Sequence, residues 1–173
     1  MGLPQPIAAA LDNMEGEART TAESLPAKAR ADFAPIEAEV KASLSHLEEA
    51  TVAFVEVGNA WLQELMTAPA QVRDEVIDAA IESFRHHEER LAETVIPSIA
   101  AGQENLKEAF RAPRQLRAKL HRLSTRIIEV NAQAVEAVRD MRWKLLASRA
   151  AAEDPLFLPG SRSTRRSTAM ASS

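Results

Sequence analysis

Two groups of side chains in this sequence have the type and spacing to do chemistry. The first is His86-His87-Glu88-Glu89. On a helix Glu82, His86, Glu89 and Glu93 share one face, and imidazole and carboxylate at i, i+3 and i+4 can ligate a divalent metal. Di-iron helical bundles carry a Glu-x-x-His pair on each of two helices. Here the residues three before His46, His86, His87 and His121 are Ser43, Ser83, Phe84 and Ala118, so that pair is absent. The cluster also falls opposite the apolar stripe of its own helix. The expectation is a solvated charged face with no metal and no cofactor, and His46 with Glu49 reads the same way.

The second group is basic. Arg111, Arg114, Arg117, Lys119, Arg122 and Arg126, with His121 among them, follow one another with no acidic residue between Glu108 and Glu129. Long cationic side chains at this density suit the phosphates of nucleic acid or an anionic membrane or granule surface. The competing reading is internal. Asp74, Asp78, Glu82, Glu89 and Glu93 are spaced to lie on one helical face, and a basic helix beside that face would fix helix pairing as flanking charges do in coiled coils. The internal reading is favoured. A single-strand binder wants stacking aromatics among its cations, and this stretch has none. No helix-turn-helix pair is visible.

Catalysis by a nucleophile has no support. There is no cysteine and no Gly-x-Ser-x-Gly turn, and the glycines at 2, 16, 58, 102 and 160 form no phosphate loop. An enzyme is not expected. Trp61 reads as core. Trp143, flanked by Arg142 and Lys144, reads equally as a partner anchor or as cover for the core. Beyond the last helix, Leu156, Phe157 and Leu158 between two prolines have the form of a docking peptide. Folding back onto the bundle is the favoured alternative for them.

The elements that would position these groups are helices. The chain has 173 residues, 46% of them hydrophobic and 4% aromatic. Alanine supplies 33 and glycine only 5. That is helix-forming composition with few turn residues, enough for one core and no disulfide scaffold. Residues 1–34 form an Ala-rich segment with one candidate helix near 6–24. A long helix should start at Pro35, a good first-turn residue, and carry Ile36, Val40, Leu44, Leu47, Phe54, Trp61 and Leu65 on one seam. Gly58 interrupts that seam, which predicts close approach of a partner helix. Pro69 should break the chain. The next helix carries Val72, Val76, Ile77, Ala80, Ile81, Phe84, Leu91 and Val95, and Pro97 or Gly102 should end it. A third should begin near Gln103, kink or restart at Pro113, and present Leu116, Leu120, Leu123, Ile127, Val130, Ala134, Ala137, Met141 and Leu145 until Asp154.

The expected fold is all-α: an antiparallel bundle of three long helices over 35–154, with residues 1–34 as a candidate fourth and coiled-coil-like seams. Residues 155–173 should form a disordered tail, since 7 of the last 13 are Ser or Thr. No apolar run reaches membrane-spanning length. Neither a signal peptide nor a transit peptide is expected, because no Lys or Arg precedes Arg19. The default expectation is cytoplasmic.

The net charge of −4 conceals a division. Residues 1–100 hold 7 Lys+Arg and 18 Asp+Glu, a net −11. Residues 101–173 hold 14 and 7, a net +7. In composition alone (Ala-rich, long helices, no cysteine, a flexible tail) the chain resembles phasins, the helical proteins that coat bacterial storage granules. No motif carries that resemblance. The functional expectation is a non-enzymatic helical interaction or scaffold module that forms a homo-oligomer or docks on a protein partner. The alternative is binding of nucleic acid, a membrane or a storage-granule surface through residues 111–126 and the tail.

Overall fold

A computed structural model describes residues 3–28 and 33–153. They form four helices and, among the described residues, no strand: α1 (Gln5–Lys28), α2 (Phe33–Met66), α3 (Ala70–Ala109) and α4 (Arg114–Glu153). The proposed tail, with Leu156, Phe157, Leu158, Arg162, Arg165 and Arg166, lies outside the described residues.

Prolines set where three of the helices begin. A proline has no N–H to lose, yet its carbonyl can accept the first helical hydrogen bonds. Pro4 accepts from the Ile7 and Ala8 amides at 3.0 Å each. Pro69 accepts from Arg73 at 2.8 Å. Pro113 accepts from Leu116 at 2.9 Å and Arg117 at 3.1 Å. Pro113 therefore starts a helix rather than kinking one.

Two expected stops are passed over. α3 runs through both Pro97 and Gly102 to Ala109, so residues 103–109 belong to α3 and not to the following helix. Pro97 is exposed, on the solvent side of the helix, where water can satisfy the carbonyl it leaves free. Gly102 is buried against α4. A Cβ there would lie 2.8 Å from Ile128 Cγ1 and 3.1 Å from the Ser124 carbonyl oxygen. Its bareness lets the two backbones approach, and that packing holds the helix together past the proline. Gly58 is also buried against α4, but the space a Cβ would take is filled by the Met141 side chain, with Cε at 2.5 Å, rather than by a close backbone approach.

The seams are buried. Val40, Leu44, Leu47, Phe54, Gly58 and Leu65 of α2 face inward, as do Ile77, Ala80, Phe84, Leu91 and Val95 of α3. On α4 every seam position from Leu123 to Leu145 is buried, but Leu116 and Leu120 are only half-buried. α1 contributes Ile7, Leu11, Met14 and Ala18 to the same apolar cluster.

Helix order comes from which side chains meet. α3 and α4 run antiparallel and pack most extensively, with Asp78 beside Arg149 and Gly102 beside Ser124. α2 and α4 run parallel, with Glu48 beside Arg126 and Asn59 beside Lys144. α1 lies against α2 and α3. Sequence-adjacent helices were expected to be neighbours. Instead α2 and α3, joined by only a few residues, face each other across the core. Phe84 of α3 reaches over to Phe54 and Trp61 of α2, with ring centroids 6.0 and 6.2 Å apart. α2 and α4 begin at the same end of the bundle, and α3 ends there.

Candidate functional site

The His86–Glu89 cluster is divided among three directions. Arg85 draws in Glu82 at 2.6 Å and Glu89 at 3.2 Å on the exposed face. The Arg85 hydrogen bond, reinforced by its charge, holds the Glu82 carboxyl below its ordinary pKa. Glu88 turns to α4, where it accepts from Arg139 Nε at 3.1 Å and Arg142 Nε at 2.9 Å. Burial opposes the charged form of Glu88, but the hydrogen bonds and charges of Arg142 and Arg139 outweigh it and lower its pKa. His87 turns to α1, with Nδ1 2.8 Å from Oε2 of the buried Glu15. Arg90 donates to the same oxygen at 3.1 Å.

No group of three or more His, Asp or Glu able to hold a metal occurs among the described residues. A groove between α1 and α3 of about 550 Å³ is lined by Glu15, Arg19, Arg90, Glu93 and Thr94. Two acids and two bases give it no dominant charge. Sequence reasoning missed Glu15, because an acid beside Asp12 and Glu17 reads as part of a solvated face and carried no signal of burial.

The basic stretch divides in two. Arg126 is tied to Glu48 of α2 by two hydrogen bonds at 2.7 and 3.3 Å, and that bonding raises its pKa. Further along α4, Arg139 and Arg142 meet Glu88, and Arg149 meets Asp74 at 3.4 Å and Asp78 at 2.9 Å. Internal charge pairing thus describes α4 from Arg126 onward. It does not describe the preceding turns. Arg114, Arg117, Lys119, His121 and Arg122 are exposed and have no ion-pair or hydrogen-bond partner among the described residues. Among the described residues Arg111 reaches only the nearby Glu108, at 3.6 Å. Glu82, Glu89 and Glu93 do not face these cations.

This placement works against helix stability. Unpaired N–H groups give a helix N-terminus a partial positive charge, which favours acidic side chains in the first turns. The first turn of α4 has none, and Arg114 and Arg117 stand there instead. An anion at this end would meet both the side chains and the helix pole.

Among the described residues the exposed large apolar side chains are Val52 on α2, Val72 and Ile96 on α3, Trp143 on α4 and Phe110 between α3 and α4. Trp143 is 57% exposed, and Arg142 lies 5.5 Å from its ring centroid. Phe110 is 80% exposed and adjoins the open cations. It was not singled out from sequence, because the stretch from Gln103 to Asp154 was read as one helix that either kinks or restarts at Pro113. A restart at Pro113, like that at Pro69, is what places Phe110 in a turn.

No described helix is long and apolar enough to cross a membrane. Compared with known proteins, the chain matches no family model, no curated protein and no solved structure, so its likeness to phasins rests on composition alone.

Proposed function

We propose that this chain is a non-enzymatic helical interaction module that engages an anionic partner through the end of the bundle formed by Arg111, Arg114, Arg117, Lys119 and Arg122. One observation carries the reading. Later cations of α4 (Arg126, Arg139, Arg142 and Arg149) meet carboxylates of other helices, whereas those from Arg114 to Arg122 meet none among the described residues. Cations that contribute to no pairing and oppose the helix pole are placed for something outside the chain. Phosphate is the chemistry they fit, since guanidinium groups bind it bidentately.

Binding to a phosphatidylserine vesicle or a nucleic-acid duplex, measured against salt, tests this. The wild-type chain should bind at low salt and release as salt rises. The variant Arg114→Gln/Arg117→Gln/Arg122→Gln should bind at least tenfold more weakly, with a shallower salt dependence, about one unit of slope lost per cation removed. Absence of wild-type binding to both probes at low salt would overturn the reading.

Self-association or docking on a protein partner is the second reading. It draws on Trp143, which stands outside the core on α4. It predicts a mass above that of one chain by light scattering, reduced by Trp143→Ala.

A further inference from the structure

We infer that the anionic partner is a lipid surface, and that Phe110 enters it as an apolar wedge while the surrounding cations hold the phosphates. The inference rests on the reading above and names the class of surface.

Phe110 is held outward by ordered backbone. It closes α3 with φ −71° and ψ −20°, and its amide reaches the Lys107 carbonyl at 3.3 Å. The next amide, Arg111, donates to the Glu108 carbonyl at 2.9 Å. Ala109, immediately before, is buried and anchors the turn. The ring is thus exposed on a fixed support rather than on a free end. The turn continues Arg111-Ala112-Pro113 with no acidic residue. From 104 to 122 there are six Lys+Arg and two Glu. The two acids are already engaged, Glu104 with Lys107 at 3.4 Å and Glu108 with Arg111 at 3.6 Å.

An exposed Phe beside the cations adds nothing to backbone-phosphate contacts on a duplex, and inserting it between base steps carries the cost of unstacking them. On an anionic bilayer both parts act. The cations are drawn to the headgroups, each contributing about fivefold to partitioning, and the ring leaves water for the interface. Single strands are disfavoured by spacing. Such sites stack successive bases on several aromatics. The other exposed aromatic among the described residues, Trp143, is on α4 but about 45 Å from its start at 1.5 Å per residue. The helix α4 cannot lie flat on a membrane, because its seam from Leu123 onward is committed to the core. Contact is therefore end-on, through the turn.

The test is co-sedimentation of the full chain with phosphatidylcholine vesicles, with and without phosphatidylserine, and in parallel titration of a single-stranded and a duplex oligonucleotide. The wild-type chain should bind the phosphatidylserine vesicles. Phe110→Ala should bind them about tenfold more weakly with an unchanged salt dependence, and should melt as the wild type does, because the ring contributes little to the core. Phe110→Trp should retain binding, and its added emission should shift to the blue on vesicles. Unchanged vesicle binding by Phe110→Ala overturns the wedge. Binding of an oligonucleotide but not of vesicles overturns the lipid inference and leaves the anionic reading standing. Binding of neither overturns both.

Discussion

Glu88 stands between Arg139 and Arg142 and joins α3 to α4. Burial alone would favour its neutral form, and the two guanidiniums reverse that. Its pKa in the folded chain is therefore below the ordinary value of 4.5. The stability it contributes is present above that value and is lost as pH falls through the folded pKa. Glu88→Gln should lower stability at neutral pH by about 1–2 kcal/mol, discounted for the partial exposure of Arg139. The loss should shrink in acid, below the folded pKa, where the wild-type carboxyl is itself protonated. Denaturant unfolding at the two pH values measures this, and equal midpoints at neutral pH would contradict it. Little at this scale was readable in the sequence. Glu88 was assigned to a solvated face and Glu15 to nothing, because partners 51 and 72 residues away depend on helix order and register. The cations at 111–126 were legible as a group, but the division between Arg122 and Arg126 was not, since it turns on Glu48 coming alongside.

Helices were the most legible level. The apolar seams of α2, α3 and α4 are set by side-chain period, and the burial of Gly58 against α4 followed from its place on a seam. The ends of α3 were less legible, because local preference at Pro97 and Gly102 is overridden by packing on α4. The two seam glycines make a direct comparison. At Gly58 an added methyl meets the flexible tip of Met141, which can move aside. At Gly102 it meets the Ser124 backbone and two branched isoleucines, which cannot. Alanine gains about 1 kcal/mol of helix preference at either position. Gly58→Ala should thus be near neutral. Gly102→Ala should destabilise by about 1–2 kcal/mol, as overpacking exceeds that gain. Thermal melts of the two variants decide it, and a Gly102→Ala chain as stable as wild type would remove the reason given for α3 continuing past Pro97.

Across the whole molecule, helix order was hidden by the short link between α2 and α3. Such a link suggests neighbours, but burial of Phe84 against Phe54 and Trp61 sets the pair across the core. α4 thereby lies between α2 and α3, whose acids meet its cations from Arg126 onward. The surplus of positive charge is left at one end, beside Phe110. The division of −11 and +7 along the sequence is thus satisfied over most of α4 and open at its start. A chain of net charge −4 should by that number alone be repelled by a polyanion. Elution from immobilised heparin tests the open end most directly. The wild-type chain should be retained at low salt, and Arg114→Gln/Arg117→Gln/Arg122→Gln should pass through unretained. Wild-type chain in the flow-through, or equal retention of the two, would contradict it.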